Sequence, residues 1–522
     1  MLGTTDPQAE LLDCQSLCGH LVAEDSIYAK LAALGNRLFT DEDFSDLFDP
    51  TKGRPSVPPS LLAKVLLLQS LEGTSDRETT DRLRCDLRWK VALGLPLQYE
   101  GFHPTVLCYF RERLRKSDSP RRIFDRFKQI AEQAGLISKK GIRVLDSTPV
   151  LSAVQAQDTI SLIRGALRRL IALLAKCDPK IKDAVEAVLQ RTDYADPGKP
   201  AIDWDDERQR ADLVDELVKD AHRATEVLSG HELPDDARQA SELLATVAGQ
   251  DVEHTDDGRF VIRRGVAKGR VVSVVDPDVR HGRKTSSGPF NGFKAGIAID
   301  PETELITEVN VGSARSSDSE MVEDLVPELK DAEGDSLTIV ADSAYGSGET
   351  RKMLAEANVA TVIKPSPENN STGGFPKSAF KIDLENRKAT CPAGVTTDKA
   401  FDTKDGGIRF VFPAATCASC LLRAQCTSSP NGRQVATGPN EVFLSQARRD
   451  FRTEPFKQVY NSKRPTVERV IYRLVRNGGR KARYRGMGKV REQSTLKAAA
   501  ENLARMLTMG LQWTDQKGWV VI

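Results

Sequence analysis

Hydrophobic residues recur with helical spacing over residues 20–140, interrupted by short polar turns. The segment PSLLAKVLLLQSLEG follows a proline and stops at Gly73, and these residue types favour the start and the end of a helix. Ser75 and Glu78 then form a capping box, in which each side chain accepts a backbone N–H of the first turn. A basic helix is predicted from about Thr105 to Lys116. Such short helices are typical of a helix-turn-helix-like DNA reader, and a plain helical bundle would give the same pattern.

Two strands are predicted where β-branched residues run directly into an aspartate. GIRVLDSTPV contains Asp146, and SLTIVADSAYG contains Asp342. A third strand, VVSVVDPD (271–278), and a hairpin around residues 301–303 lie between them in the sequence. Strands broken by helices predict an α/β layered core, and we expect both aspartates at the carboxyl ends of their strands, where such sheets place their chemistry.

Charge is balanced over the chain, with 75 Lys and Arg against 74 Asp and Glu, but it is strongly segregated. Residues 178–257 hold 22 acidic and 9 basic residues, whereas residues 463–491 hold 11 basic residues and one acid, Glu468. Between residues 111 and 143 there are 11 basic and 4 acidic residues. Two basic blocks favour the binding of a polyanion such as nucleic acid, although solvated helix faces also give such runs.

A chain of 522 residues is too long for one compact core, and about three domains are expected. Its 39% hydrophobic and 29% charged residues are typical of a globular protein. We expect no membrane span, because the longest apolar run, Leu61 to Leu68, is short and contains Lys64. The first residues do not have the pattern of a secretory signal, and nine unevenly spread cysteines argue against a disulfide framework. A cytoplasmic protein is therefore expected.

Four of the nine cysteines cluster within 36 residues of one another. Cys391, Cys417, Cys420 and Cys426 combine one Cys-x2-Cys pair with a Cys-Pro-x-Gly turn and a fourth cysteine. Four thiolates could close a tetrahedral structural zinc site, which leaves no open position for catalysis. Free buried thiols are the alternative interpretation.

Three acids are the candidate catalytic residues. Asp146 and Asp342 follow β-branched runs, and either one alone would also fit a helix N-cap. Glu468 lies at the edge of the apolar face of a predicted helix, where a surface ion pair is the alternative. Three hard oxygen ligands beside basic residues match Mg²⁺-dependent phosphoryl transfer, in which two metal ions activate the attacking hydroxyl and stabilise the leaving oxygen.

These motifs resemble those of the insertion-sequence DDE transposases, most of all the eleven-eighty-two family. The similar segments are LDSTPV, ADSAYGS, and RPTVERVIYRL with the tail ARYRGMGKVREQSTLKAAAENLARML. GRPSVPPSLLAKVLLLQSLEGTSDRE is similar to the N-terminal domain of that family, and the cysteine segment to its insertion before the last catalytic helix. The resemblance covers nearly the whole chain. It implies a ribonuclease-H-like α/β core, a mixed sheet flanked by helices, with Asp146, Asp342 and Glu468 as its catalytic acids.

The resemblance implies a transposase that binds the terminal inverted repeats of an insertion sequence, cleaves its ends and transfers the 3′-hydroxyls to target DNA. Two Mg²⁺ ions, for which Mn²⁺ can substitute, would be held by Asp146 and Asp342, with Glu468 completing the second site. Double-stranded DNA, a homodimer in the synaptic complex and a nucleoid-associated location are implied as well. A metal-dependent structure-specific nuclease and a non-cutting regulator derived from a transposase are the alternatives.

Basic residues near these acids are the candidate DNA contacts. They are Arg280 and Lys284 in DPDVRHGRK, for which an exposed loop is the alternative, and Arg469, Arg473, Arg476, Arg480, Lys481, Arg483 and Arg485 in the C-terminal block. We expect the chain to begin with an N-terminal tail (1–20) and an all-α DNA-binding domain (21–138). The first part of the catalytic core (139–364), with an acidic helical insertion (151–257), is expected next. A Cys-rich insertion that forms a zinc module (365–455) and the last part of the core, with the Glu-bearing helix and basic C-terminal helices (456–522), are expected to follow.

Overall fold

The N-terminal part of the chain is helical. The structure is a computed structural model that describes residues 1–5, 13–138, 140–196, 198–284, 288–330, 337–368 and 374–522. The first helices are α1 (Cys14–Cys18), α2 (Ile27–Leu34), α3 (Pro59–Glu72), α4 (Asp76–Cys85), α5 (Leu87–Leu93), α6 (Thr105–Lys116) and α7 (Arg122–Gln133). The predicted end of α3 is confirmed, since Gly73 caps it with a φ of 70°, and the capping box of Ser75 and Glu78 is present.

The middle of the chain alternates strands and helices. The first strand and the insertion after it are β1 (Gly141–Leu151), α8 (Thr159–Cys177), α9 (Pro179–Val188), α10 (Glu207–Leu228), α11 (Asp235–Gln250), β2 (Val252–His254) and β3 (Phe260–Ile262). The elements that follow are β4 (Arg280–Lys284), β5 (Gly288–Ile299), β6 (Ile306–Ser313), α12 (Val322–Leu325), β7 (Leu337–Ala341), α13 (Gly348–Glu356) and β8 (Ala360–Ile363). The predicted hairpin around residues 301–303 is confirmed as the turn between β5 and β6.

The last part of the chain begins with two small sheets and ends with two long helices. The small sheets and the short helices beside them are β9 (Lys381–Asp383), β10 (Lys388–Thr390), β11 (Thr396–Thr397), β12 (Ala400–Asp402), β13 (Ile408–Val411), α14 (Ala414–Ala418), α15 (Arg423–Cys426), β14 (Gln434–Ala436) and α16 (Glu441–Asp450). The final elements are α17 (Glu454–Leu474), α18 (Met487–Thr508), β15 (Leu511–Thr514) and β16 (Gly518–Val521). No helix among the described residues is long and apolar enough to cross a membrane.

One mixed sheet organises the core. Its order is β4-β5-β1-β7-β8. Strand β6 also pairs with β5, along residues 293–299, whereas β4 pairs with residues 288–292. The pairings of β5 with β1, β4 and β6 are antiparallel, whereas β7 pairs parallel with both β1 and β8. Helix α17 packs against β1, β7 and β8, so the sheet is covered by a helix that comes from the opposite end of the sequence.

Two strand predictions need correction. The segment 271–278 is irregular. Val271 and Val274 pack against the helical insertion that follows β1, whereas Val272 packs with residues of β1 and β5. Strand β1 does not end at Asp146, because its second half continues to pair with β5 as far as Leu151. Apolar side chains in 271–278 serve tertiary packing rather than a strand. Those in the second half of β1 serve the pairing with an antiparallel neighbour.

Hydrophobic packing divides the described residues unevenly. The N-terminal helices share one core with the central sheet and α18, in which Leu67, Val144 and Leu503 are all buried. The insertion of α8 to α11 has a core of its own, and the two small sheets surround a third that contains Phe410 and Phe412. Helix α3 is buried all round because helices α6 and α18 both pack on it.

Candidate active site

The register of β1 and β7 places two aspartates side by side. Their parallel pairing ends where Val144 lies opposite Val340, and Asp146 and Asp342 each follow two residues later. Neighbouring strands lie about 4.8 Å apart, so residues at equivalent positions bring their side chains together. Asp342 comes directly after β7, and its Oδ1 accepts a hydrogen bond of 2.9 Å from the backbone N–H of Ala344.

Helix α17 brings the third acid to the same edge of the sheet. Val467, Val470 and Leu474 are buried against strand residues of the core. Glu468 lies beside this buried face, with its side chain 66% exposed. The helical period therefore leaves Glu468 at the edge of the apolar face of α17, beside the two aspartates.

One guanidinium group contacts all three carboxylates. Arg464 Nη2 lies 2.9 Å from Asp146 Oδ2 and 3.9 Å from Asp342 Oδ2. Arg464 Nη1 lies 3.4 Å from Glu468 Oε1, one helical turn away. The side chain of Arg464 is only 10% exposed. The three acids thus converge on a single buried cation.

The charges of the site act on one another. Burial raises the pKa of Asp342, and the negative charge of Asp146 raises it further. Burial of Arg464 disfavours its charge, but the carboxylates of Asp146 and Asp342 more than offset this, and the pKa of Arg464 is raised. The arginine therefore stays protonated and balances part of the negative charge around it.

A buried hydroxyl lies beside the acids without a hydrogen-bond partner. The side chain of Tyr345 is fully buried, and its hydroxyl is unpaired within the described residues. Burial raises the pKa of this hydroxyl, and the nearby charges of Asp318, Asp146 and Asp342 raise it further. An unpaired buried hydroxyl near the charges of Asp318, Asp146 and Asp342 is consistent with a site that holds a further polar group or ion.

The donor chemistry of the three acids suits a hard divalent cation. Among the described residues, however, no group of three or more His, Cys, Asp or Glu side chains is already arranged to hold a metal ion. The guanidinium of Arg464 lies between the carboxylates. Asp146, Asp342 and Glu468 therefore fit a metal site in ligand type and location, provided that Arg464 moves aside.

The predicted DNA contacts fall into two groups. Arg469 and Arg473 both pair with Glu304 in the β5–β6 turn, and Arg483 donates to the backbone carbonyls of Gly73 and Thr74. The side chains of Arg476, Arg480, Lys481 and Arg485 are exposed, and no hydrogen bond or ion pair engages them within the described part of the chain.

The two predicted contacts on β4 are held by the core. Arg280 donates to the backbone carbonyls of Pro277 and Val279, and burial lowers its pKa. Lys284 donates to the backbone carbonyl of Ser147, the residue after Asp146. Lys284 therefore lies next to the candidate site.

The four clustered cysteines line one small cavity, together with Phe375 and Phe412. All four are free thiols, and burial raises the pKa of Cys426 in spite of the neighbouring Arg433. Their convergence agrees with the predicted grouping of Cys391, Cys417, Cys420 and Cys426. Their spacing does not form a ready metal site in the described chain, so zinc binding stays a prediction without support from the geometry.

Comparison with known protein families adds two matches. The family described as "Transposase DDE domain" matches residues 390–507, and the family described as "Transposase domain (DUF772)" matches residues 17–113. Both matches are to transposases. No curated protein and no solved structure matches the chain significantly. The two matches support an insertion-sequence DDE transposase, and they leave the eleven-eighty-two family unconfirmed.

A DDE domain implies a ribonuclease-H-like fold, and the mixed sheet with α17 against it fits such an α/β core. It also implies dependence on a divalent metal, typically Mg²⁺. The matched region contains Glu468 and the four cysteines, but Asp146 and Asp342 lie outside it. The roles of the two aspartates therefore stay predictions from their motifs.

Two residues of the candidate site were not identified from the sequence. Arg464 precedes Glu468 by four residues, the spacing at which helical side chains pair, and this was the available signal. Tyr345 follows Asp342 within ADSAYG, but no feature of that motif indicates that its hydroxyl is buried and unpaired.

Proposed function

We propose that this protein is a DNA transposase that binds the terminal inverted repeats of an insertion sequence, cleaves its ends and joins the 3′-hydroxyls to target DNA. The observation that carries the proposal is the convergence of Asp146, Asp342 and Glu468 on one guanidinium at the edge of a mixed sheet. Two neighbouring strands and a helix from a region with a transposase match supply these acids. Such a concentration of carboxylates matches metal-assisted phosphoryl transfer.

Asp146 and Asp342 would hold two Mg²⁺ or Mn²⁺ ions, with Glu468 completing the second site. Bound metal would supply activation of the attacking water or 3′-hydroxyl and stabilisation of the leaving oxygen. Arg464 would release the carboxylate oxygens as the ions bind, since its guanidinium now lies among them. Lys284, which reaches the backbone beside Asp146, would hold a phosphate of the bound strand near the acids.

The exposed arginines and lysine after α17 would bind the DNA backbone. Arg476, Arg480, Lys481 and Arg485 carry charge that no side chain among the described residues neutralises through an ion pair. Contacts of this kind fix the position of the duplex and weaken as salt is added. Because both ends of an element must be brought together, the active form would be a homodimer on DNA in the nucleoid.

The test uses a DNA fragment that carries the sequences flanking the gene. Purified protein is incubated with this fragment and Mg²⁺, and the 3′ ends of the products are mapped. The variant Asp342→Asn removes one charge at nearly constant shape, and Asp324→Asn, on α12 and hydrogen-bonded to Asn310, serves as the matched control. We expect cleavage at the element boundary by the wild type and the control, and none by Asp342→Asn.

The products separate the alternatives. Joined strands in a second DNA would establish transposition, whereas cleavage without joining would indicate a structure-specific nuclease. Binding without cleavage by either protein would favour a regulator. Normal cleavage by Asp342→Asn would show that the proposed site is wrong.

A further inference from the structure

A groove separates the first small sheet from helix α16. It has a volume of about 450 Å³, and one wall comes from β9 to β11 while the other comes from α16 and the turn after it. Its basic lining residues outnumber its acidic ones. They are Lys377, Lys381, Lys388, Arg448, Arg449 and Arg452, against Asp383 and Glu441.

The floor of this basic groove is a buried ion network. Glu441 is 1% exposed and pairs with Lys377 at 2.5 Å and with Arg448. Arg448 also lies 3.6 Å from Glu368, which accepts hydrogen bonds from Ser378. The buried acid neutralises the two deepest cations and fixes the two walls to one another.

The rim of the groove keeps its positive charge. Lys381 on one wall and Arg452 on the other are exposed, and neither forms a side-chain hydrogen bond or ion pair with another described residue. Arg449 is exposed too and donates only to the neutral Gln446. Lys388 faces Asp383 across the β9–β10 pair, so it contributes less. Uncompensated cations on both walls suit an extended polyanion that runs along the groove.

The groove lies a measurable distance along the chain from the three acids Asp146, Asp342 and Glu468. Arg452 lies two residues before the start of α17, and Glu468 is fourteen residues into that helix. At 1.5 Å per residue, this stretch of helix is about 21 Å long. For a duplex that runs along α17, with a rise of about 3.4 Å per base pair, the interval corresponds to roughly six base pairs.

The groove is firmly attached to the core. Helices α13 and α16 pack together, and a Cβ atom added to Gly348 would lie only 2.8 Å from Asn440 Cβ. Helix α13 follows Asp342 closely in the chain, so the groove is connected to both sides of the candidate site through α13 and α17. Its cations therefore have a fixed distance to the acids.

We propose that the basic groove between β9–β11 and α16 binds the sugar-phosphate backbone of the DNA duplex about six base pairs from the bond that is cleaved. This inference rests on the proposed function for its ligand, and it assigns Lys381, Arg449 and Arg452 as phosphate contacts. These residues position the DNA and take no part in the chemistry. They lie outside the basic block 463–491 that the sequence singles out.

The experiment compares two variants of equal charge change. The groove variant is Lys381→Gln, Arg449→Gln and Arg452→Gln together, and the control is Lys399→Gln, Lys404→Gln and Arg409→Gln, three exposed residues near the second small sheet. Affinity for a 50-base-pair duplex that spans the gene-flanking end is measured by fluorescence anisotropy over a range of salt concentrations. Hydroxyl-radical footprinting then locates the backbone contacts, and the cleavage assay is run in parallel.

Each phosphate contact contributes about 0.9 to the slope of log affinity against log salt, so the groove variant should lose a slope of roughly 2 to 3. It should also lose backbone protection about six base pairs from the cleavage position, while the control matches the wild type. An unchanged slope and footprint, with cleavage by the wild type intact, would overturn the groove and leave the proposed function standing. A lost slope without any cleavage by the wild type would keep the groove and refute the transposase. A wild type that binds no DNA would refute both.

Discussion

Arg464 offers the most informative perturbation, because one substitution removes the cation shared by three acids. Arg464→Met keeps the length and the apolar stem of the side chain. It removes contacts of 2.9 Å to Asp146, 3.9 Å to Asp342 and 3.4 Å to Glu468. Asp146 is 11% exposed and keeps only the hydrogen bond from the backbone N–H of Ser147, so its charge is left buried without the ion pair to Arg464. Breaking a buried pair in this way costs about 3–5 kcal/mol.

The loss should be local to the strands that carry the aspartates. A destabilisation of about 3 kcal/mol corresponds to a roughly hundredfold faster amide hydrogen exchange wherever exchange proceeds through local opening. We expect this acceleration in peptides that cover β1 and β7, and we expect 10 mM Mg²⁺ to reverse more of it in the variant than in the wild type. The effect should be smaller at pH 5 than at pH 8, because burial and the charge of Asp146 raise the pKa of Asp342, and a protonated Asp342 no longer needs the guanidinium.

Arg469→Met is the matched control. It lies on the same helix, is 56% exposed and pairs with Glu304. Glu304 is only 11% exposed, but it keeps its pair with Arg473 when Arg469 is replaced, so exchange in β1 and β7 should hardly change. The reasoning would be refuted if Arg464→Met behaved like this control, or if Mg²⁺ gave both proteins the same protection.

Three further predictions concern stability. Burial raises the pKa of Glu492 to about 7 despite the nearby Arg115. Between pH 4.5 and 7 the folded protein therefore holds a proton that the unfolded chain releases, and the free energy of unfolding falls as pH rises through this window. Glu492→Gln should remove that fall, about 3 kcal/mol in size, when urea unfolding is compared at pH 5 and pH 8, and an unchanged pH profile would contradict the assignment. Ser75→Ala deletes half of a capping box and should cost about 1 kcal/mol, measured as faster exchange in α4 with α10 as the internal reference. Leu67→Ala opens a cavity in the fully buried α3 and should cost about 2–5 kcal/mol in urea unfolding, and a loss below 1 kcal/mol would show that α3 is not packed as described.

Local sequence signals predicted the elements that depend on neighbouring residues. The ends of α3, the capping box of Ser75 and the helix α6 follow from residues within a few positions of one another. The alternation of strands and helices likewise predicted an α/β core, since β-branched residues fit the half-buried, pleated surface of a sheet. The pairing of the two aspartates follows from the same runs once β1 and β7 are neighbours.

Features that depend on distant parts of the chain were not predictable. The valines at 271–278 look like a strand, but Val271 and Val274 are buried under the helical insertion, Val272 packs with residues of β1 and β5, and Val275 is exposed. The contacts of Arg464 with Asp146 and Asp342 join residues more than 100 positions apart, so no local pattern indicates them. The basic groove is also assembled from residues some 70 positions apart, Lys381 and Arg452, and its charges are diluted in the sequence by the acids between them.

The central claim is that Asp146, Asp342 and Glu468 act as one site, and it is tested most directly by neutralising each acid in turn. Asp146→Asn, Asp342→Asn and Glu468→Gln are compared with the wild type for Mg²⁺-dependent cleavage of the element end, with DNA binding measured on the same samples. Each lost ligand should remove several kcal/mol of transition-state stabilisation, so cleavage should fall by roughly a thousandfold or more while binding persists. A rate close to that of the wild type in any one of the three variants would contradict the account.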